Sequence, residues 1–397
     1  MLIATTIVLL GLLAGIAAAQ LRGLRMGGVI VVPLVAVYLL RSFGTFPVFV
    51  ISILAAYVAI GFVKQRVPLY GRQLFVLSIL VGALVPVTAF ELVAFGFDFR
   101  GAVAGVEFVG SILPGIAAYN FHRLELEERV LDAVVSLATL LFLTVVGIGL
   151  TIFVGLTPLS EVLSPLLLSP ESDIAIAFGL TVDRPPLPVI ASNRLTLGLV
   201  ALGMAIAEFL RARYGLRVAG VIVLPLVALI AFRNVWLLPV WVVTSVLVYV
   251  GVRFVHRWTL LYGRVLLAVG IILGLLATIS LSVVVPTRHG LLPFFVGLFG
   301  GITAYNVHVV PPAERPATVA ATLAVLVVVT FAARLAIVPP PSGVLQDVRQ
   351  VHLAAGALAT VPALVAIYRL ERIRPDGLRG SGLDDHGSGT ERGAGRQ

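Results

Sequence analysis

Residues 23–36 read GLRMGGVIVVPLVA, and residues 215–228 read GLRVAGVIVLPLVA. The second stretch begins 192 positions after the first, and eleven of the fourteen positions are identical. The same offset relates Tyr57 to Tyr249 and the tetrapeptide Leu-Tyr-Gly-Arg at 69–72 to its copy at 261–264. We conclude that the chain is an internal duplication. The positions that both copies kept therefore indicate what each repeat needs.

The composition predicts a membrane protein. Of the 397 residues, 59% are hydrophobic and only 12% are charged, and the mean hydropathy is +1.10. A soluble domain carries about a quarter charged residues. Successive apolar runs, each separated by a short charged loop, are typical of transmembrane helices. We predict an all-α, multi-pass transmembrane protein, which places it in the cell (plasma) membrane.

Thirteen apolar segments are visible, six in each copy and one at the C-terminal end. They cover residues 2–20, 27–40, 46–63, 74–97, 101–119 and 132–156, then 195–210, 218–232, 236–254, 265–286, 291–305 and 317–338, and finally 351–368. The second and fifth segments of each copy are short for a crossing of about 20 residues. They are tilted neighbours, broken helices or re-entrant hairpins, and the sequence leaves all three open.

These segments define five regions. They are a first repeat at 1–156, a linker at 157–192, a second repeat at 193–338, an extra transmembrane helix at 351–370 and a tail at 371–397. The linker carries four acids and is expected on the outer face. The tail is rich in Gly and charged residues, so we expect it to be disordered and cytoplasmic.

The arginines predict an orientation, because positive loops stay in the cytoplasm. The chain has 28 basic and 19 acidic residues, a formal net charge of +9. With every segment spanning, the basic loops of both copies fall on one side and the acidic linker on the other. We therefore expect the N-terminus outside and the C-terminus in the cytoplasm, with the two repeats parallel. Since the positive charge is explained by topology, no nucleic-acid partner is expected.

Both copies keep the motif Leu-Tyr-Gly-Arg. Gly71 and Gly263 allow a tight turn into the next helix, and Tyr70 and Tyr262 precede them. The arginines that follow, at 72 and 264, either anchor the helix at the interface or contact an acidic substrate.

The short second segments are bracketed by arginines in both copies. Arg25 and Arg217 stand at the inner ends, and Arg41 and Arg233 stand at the outer ends. Each segment also contains a proline, at 33 and at 225, in its middle. A proline inside a membrane helix frees a carbonyl and kinks the helix, and such breaks often line a substrate path. The alternative is that the arginines snorkel to the interfaces.

A third motif spans the end of the fifth segment in each copy. Residues 115–122 read GIAAYNFH and residues 301–308 read GITAYNVH, with Pro114 before the first copy. Gly115 and Gly301 permit close helix contact. Asn120 and Asn306 either hydrogen-bond a polar ligand or cap a helix end. The histidines at 122 and 308 are too isolated for a metal site.

Few residues suggest catalysis. Glu91, Asp98 and Glu107 lie in or beside apolar segments of the first copy only, and of these Glu107 remains a candidate. The sequence has no phosphate-binding loop, no metalloprotease motif, no nucleophile elbow and no dinucleotide fingerprint. An ATP-driven or hydrolytic activity of the chain alone is therefore not expected, and no cofactor is predicted.

Four motifs of the first copy resemble the PgsC/CapC family of membrane subunits of poly-γ-glutamate capsule synthesis. They are Val-Pro at 32–33, Leu-Tyr-Gly-Arg at 69–72, Glu-Phe-x-Gly at 107–110 and Pro-Gly at 114–115. One copy of the repeat, about 1–155 or about 193–335, looks like one family member. The family's arginine after Glu-Phe is replaced here by Val109.

This resemblance implies a membrane subunit that supports polymer synthesis or the passage of an acidic polymer across the membrane. It also implies partners: a peripheral ATP-dependent polyglutamate ligase and other membrane subunits of capsule synthesis. Two further functions remain open from the residues themselves. One is a repeat-built secondary transporter of an anionic solute, and the other is a membrane-embedded transferase that uses Glu107 or His122.

Overall fold

The computed structural model describes residues 2–67, 71–96, 108–155, 177, 191–285 and 291–373. Within these ranges the chain forms thirteen long or short α-helices and no β-strand. The helices are α1 Leu2–Arg22, α2 Val31–Arg41, α3 Thr45–Arg66, α4 Gly71–Gly96, α5 Phe108–Phe121, α6 Leu126–Gly155, α7 Asn193–Tyr214, α8 Val223–Arg233, α9 Leu237–Thr259, α10 Gly263–Val284, α11 Leu292–Val309, α12 Arg315–Ala336 and α13 Gln350–Ile373. Each predicted apolar segment corresponds to one helix.

Nine of the described helices are long and apolar enough to cross a membrane. Their outward faces carry exposed Leu, Val and Phe side chains, which only a lipid environment tolerates in such number. The predicted fold class, an all-α multi-pass membrane protein, is therefore confirmed. Of the predicted regions, 157–190 (except residue 177) and 374–397 lie outside the described residues.

The two repeats pack internally in the same way. In the first repeat α3, α4 and α5 pack against one another, as α9, α10 and α11 do in the second; α2 packs against α6, as α8 packs against α12. Between the repeats, α1 contacts α10 and α7 contacts α4. α10 is the second-repeat counterpart of α4, and α7 is the counterpart of α1. Exchanging the two repeats therefore turns one contact into the other, so the repeats are related by an approximate two-fold axis.

The second segment of each repeat is a broken helix. α2 and α8 have eleven residues each, about 16 Å at 1.5 Å per residue. The irregular stretch before α2 is nevertheless buried, with Leu24, Met26 and Val29 all less than a tenth exposed. Buried irregular backbone needs hydrogen-bond partners within the protein. Of the three open alternatives, the structure shows the broken helix: a buried loop is followed by a helix of eleven residues.

Contrary to our expectation, the two prolines do not lie in the middle of these helices. Each is the third helical residue, Pro33 of α2 and Pro225 of α8. The N–H groups of the first turn have no acceptor within the helix, so a proline fits there without a kink. Instead, the proline rings pack against α1 and α7, where a Cβ added at Gly11 or Gly203 would overlap them.

Glycines allow a close helix crossing in both repeats. A Cβ on Gly82 would overlap the backbone of Gly115 where α4 crosses α5, and a Cβ on Gly301 would overlap the backbone of α10 near Gly270. α11, which includes Gly301, has eighteen residues. The fifth segment of the second repeat is therefore longer than the sequence suggested and is one of the nine candidate spans.

Candidate functional site

Several contacts collect the arginine-rich loops at one end of the helix bundle, which we call the basic end. The hydroxyl of Tyr119, at the end of α5, donates to the carbonyl of Gly71 at the start of α4 (3.3 Å). The Arg72 Nε, also at the start of α4, lies 2.5 Å from Oε1 of Glu208 near the end of α7. The basic end therefore comprises the ends of α1, α3 and α5 and the starts of α4 and α6, with their counterparts in the second repeat.

A buried carboxylate shapes the loop before α2. Asp132, which is fully buried in α6, accepts hydrogen bonds through Oδ1 from the backbone N–H groups of Arg25 and Met26, both at 2.6 Å. Its Oδ2 accepts from the N–H of Gly27 at 2.9 Å. One side chain thus satisfies three consecutive backbone donors. Hydrogen bonds to a charged carboxylate are stronger than those between neutral groups. Our sequence analysis missed Asp132, although an acid at the edge of an apolar segment was a signal.

The second repeat solves the same problem without a charge. The N–H of Ala219, the counterpart of Gly27, donates to Oγ1 of Thr322 (2.9 Å). The Thr322 hydroxyl in turn donates to the carbonyl of Thr318 (2.7 Å), and Thr318 occupies the position equivalent to Asp132. The two loops are therefore held by different chemistry on the same face of the same helix.

Asn120 also holds this loop. Its Nδ2 donates to the carbonyl of Gly27 (3.2 Å) and to that of Ile116 one turn back in α5 (2.9 Å). The neighbouring Gly28 has φ +118°, a conformation that favours glycine. Asn306, the counterpart, makes no such bond within the described part of the chain. The structure thus places Asn120 in the scaffold, and the two asparagines differ.

The glycines of the two Leu-Tyr-Gly-Arg motifs begin α4 and α10, and both have a positive φ. Gly71 has φ +57° and Gly263 has φ +61°, both in the left-handed region that glycine adopts without strain. Tyr262 is 80% exposed, whereas Tyr70 lies outside the described residues.

The arginines of the two motifs have different surroundings. Arg72 pairs with Glu208, but the position equivalent to Glu208 in the first repeat is Ile16. Arg264 is exposed and has no hydrogen-bond or ion-pair partner among the described residues. The charge of Arg264 is therefore available, whereas that of Arg72 is largely compensated.

Arg25 lies near two further arginines, Arg123 of the same repeat and Arg264 of the other repeat. Burial lowers the pKa of the Arg25 guanidinium, and the nearby charges of Arg264 and Arg123 lower that pKa further, while Tyr119 and Asp132 act in the opposite direction. A lowered pKa means that the site disfavours more positive charge. We call Arg25, Arg123 and Arg264 the junction cluster. Such a cluster attracts an anion with several negative groups.

The remaining predicted arginines do not join this cluster. Arg217, the counterpart of Arg25, is exposed after α7. Arg41 and Arg233 are half-buried at the other ends of α2 and α8, where Ser342 donates to the carbonyl of Arg233 (2.8 Å). The predicted set is therefore divided between the two ends of the bundle and does not form one site.

Two arginines that the sequence analysis did not single out brace the basic end. Arg129 donates through Nη1 to the Tyr57 hydroxyl (2.7 Å) and through Nε to the carbonyl of Leu124 (2.8 Å). Arg315 makes the equivalent bonds to Tyr249 (3.0 Å) and to the carbonyl of Val310 (2.9 Å). The two tyrosines occupy equivalent positions in the repeats, and so do the two arginines. Comparison of the two copies could therefore have identified them from the sequence.

The two motif histidines also differ in their contacts. The His122 ring stacks on Tyr57, with centroids 4.1 Å apart, and its Nε2 lies 2.8 Å from the Tyr57 carbonyl. Burial lowers the pKa of His122, and the charges of Lys64 and Arg129 add to this, against the hydrogen bond to Tyr57. His308 Nε2 instead lies 3.1 Å from Nδ1 of His256. No group of three metal-ligating side chains occurs in the described ranges.

A comparison with protein families matches residues 10–130 and 202–315 to the family described as Capsule biosynthesis CapC. The chain belongs to this family. The two matched segments begin 192 positions apart, so each repeat is a CapC unit, and the chain is a multi-pass membrane subunit of capsule biosynthesis. Searches of curated proteins and of solved structures find no match.

The acidic candidates of the first CapC unit remain undescribed. Asp98 and Glu107 lie outside the described residues, and of the Glu-Phe pair of the family motif only Phe108, the first residue of α5, is described. Glu91 belongs to α4, but only its backbone is described.

Proposed function

We propose that this CapC-family protein is the membrane subunit of a poly-γ-glutamate synthesis and export complex. On this proposal the junction cluster receives the acidic polymer at the cytoplasmic side. The observation that carries the proposal is the exposed Arg264, which has no hydrogen-bond or ion-pair partner among the described residues and lies near Arg25 of the other repeat.

The chemistry of the polymer fits such a cluster. Poly-γ-glutamate carries one carboxylate per residue, and a guanidinium binds a carboxylate through two parallel charge-assisted hydrogen bonds. Arg123 and Arg264, which both lie near Arg25, would engage successive carboxylates of one chain together with it, whereas a single small anion needs fewer. At the same end of the bundle, the Arg72–Glu208 pair links α4 of the first repeat to α7 of the second.

The proposal assigns the chemistry of bond formation to a partner. The sequence offers no phosphate-binding loop, and Lys64 is its only lysine. A peripheral ATP-dependent ligase would therefore form the amide bonds and dock at the basic end, together with the other membrane subunits of capsule synthesis. The basic end lies in the cytoplasm on this proposal, and the C-terminus lies there too, because Arg213 at the end of α7 pairs with Glu371 at the end of α13 (3.0 Å).

The cluster is tested by charge removal in cells that carry the complete capsule system. Arg264→Gln is expected to reduce secreted polymer strongly, and the double variant Arg123→Gln/Arg264→Gln to abolish it, while protein level in the membrane stays normal. Arg369→Gln, an exposed arginine of α13, is the matched control and should leave output unchanged. Normal polymer output from the double variant would reduce these residues to interfacial anchors.

The division of labour is tested by reconstitution. Liposomes that contain only this chain, supplied with ATP, Mg²⁺ and glutamate, should form no polymer, and addition of the ligase should restore synthesis. Polymer made by the chain alone would overturn the proposal. Uptake of a small anion without any polymer system would instead favour the secondary transporter.

A further inference from the structure

The second repeat contains a pocket at the basic end that the junction cluster does not explain. It has a volume of about 630 Å³ and opens between the ends of α9 and α11 and the starts of α10 and α12. Its polar lining is basic and aromatic, without an acid: Arg253, His256, Arg257, Tyr262, His308 and Arg315. We call this the cationic pocket.

Only part of this charge is free to bind a ligand. Arg315 uses Nε, Nη1 and Nη2 on the Val310 carbonyl, the Tyr249 hydroxyl and the His308 carbonyl. Arg253 and Arg257 are both exposed, and neither has a hydrogen-bond or ion-pair partner in the described ranges. These two guanidinium groups are therefore the charged donors that remain for a ligand.

The position of the two arginines on α9 indicates where the ligand comes from. Val246, Val250, Arg253 and Arg257 are spaced by four, three and four residues, so they lie on one face of the helix. Val246 and Val250 are exposed on this outer face. Beside the arginines, the exposed ring of Trp258 lies against that of Phe254, with centroids 5.7 Å apart, as in an aromatic belt at a membrane interface. A lipid-facing stripe thus ends on two available arginines.

We propose that the cationic pocket binds the phosphate headgroup of an anionic membrane phospholipid. The acyl chains lie along the exposed stripe of α9, and the phosphate accepts hydrogen bonds from Arg253 and Arg257. Basic pockets between transmembrane helices recognise such headgroups, and a guanidinium matches phosphate geometry. The pocket opens next to lipid on the outside of α9, whereas the junction cluster lies between the repeats. This proposal therefore does not depend on the polymer function.

The first repeat shows that the site belongs to the second repeat alone. The counterparts of Arg253, His256 and Arg257 are Gly61, Lys64 and Gln65. Both arginines are thus absent from the equivalent helix end, although Tyr57, His122 and Arg129 keep the surrounding scaffold. The duplication supplies a natural design for the test, because Gln at position 257 restores the residue of the first repeat.

The test is a lipid titration of the purified full-length chain in a neutral detergent, followed by native mass spectrometry. The probes are phosphatidylglycerol and phosphatidylcholine. We expect the wild type to prefer phosphatidylglycerol, and Arg253→Gln/Arg257→Gln to weaken that binding about tenfold or more, since each interfacial arginine contributes about a tenfold factor or somewhat less. Arg253→Lys/Arg257→Lys keeps both charges and should retain most of the binding.

The control removes two arginines from the same end of the bundle. Arg369→Gln/Arg372→Gln in α13 changes the net charge equally and should leave phosphatidylglycerol binding unchanged. Equal affinity for the two lipids, or an unchanged Arg253→Gln/Arg257→Gln variant, would overturn the proposal. Inorganic phosphate that competes as well as the lipid would assign the pocket to free phosphate, and displacement by poly-γ-glutamate would assign it to the polymer; either result overturns the lipid assignment.

Discussion

Replacing the buried carboxylate of Asp132 with an amide is expected to destabilise the first repeat more than any other single isosteric change at the basic end. Asp132→Asn keeps the shape of the side chain but turns one of its two accepting oxygens into a donor. That side chain now receives three backbone N–H groups, from Arg25, Met26 and Gly27. An amide retains an acceptor for at most two of them.

The size of the loss follows from these three bonds. If the remaining oxygen keeps the two bonds at 2.6 Å, the N–H of Gly27 faces an amide donor and stays unsatisfied, which costs about 1–3 kcal/mol. The two retained bonds lose their charge assistance, about 1 kcal/mol each. We expect a total of about 3–5 kcal/mol, which for a chain of this size lowers Tm by roughly 4–6 °C.

Thermal unfolding of the purified protein in detergent measures this loss. Glu127→Gln, an exposed acid in the first turn of the same helix, removes the same charge without touching the loop and serves as the matched control. If Asp132→Asn and Glu127→Gln shift Tm equally, the carboxylate does not hold the loop and the reasoning fails.

Three further predictions use the same measurement. Thr322→Val leaves the N–H of Ala219 without its acceptor and should cost about 1–3 kcal/mol, less than the loss at Asp132; no change in Tm would contradict this role. Gly274→Ala should destabilise the protein by about 1–3 kcal/mol or more, because the added Cβ would overlap the backbone of α11. In the control Gly198→Ala the added Cβ meets open space, so this change should be neutral or stabilising. Equal effects of the two substitutions would argue against a close crossing of α10 and α11. The lowered pKa of His122 favours the neutral ring in the folded state. The stability that His122 contributes is therefore full above its ordinary pKa of about 6.5 and is lost as the pH falls below that value. Between about pH 7.5 and about pH 5 the Tm of the wild type should fall further than that of His122→Gln, and parallel pH profiles would refute this.

Local sequence was sufficient for the fold class and for the repeat. Apolar runs of helical length specify membrane helices because the lipid core requires each backbone segment to satisfy its own hydrogen bonds. The thirteen segments therefore became thirteen helices. The left-handed glycines at 71 and 263 were also predictable, because the conformational need lies within the residue itself. The proline positions were not, since they depended on where a buried loop ends and a helix begins.

The pairing of side chains was decided by tertiary structure. Asp132 meets residues more than a hundred positions away, and no local pattern specifies that contact. The same reason explains why the arginines of two identical motifs have different surroundings. Arg72 pairs with Glu208 of the other repeat, whereas the position equivalent to Glu208 in the first repeat is Ile16, which cannot pair with Arg264. The sequence of one repeat determines its helices and turns. The charge that remains available depends on which residues the other repeat places beside it, because an ion pair forms through space and not along the chain.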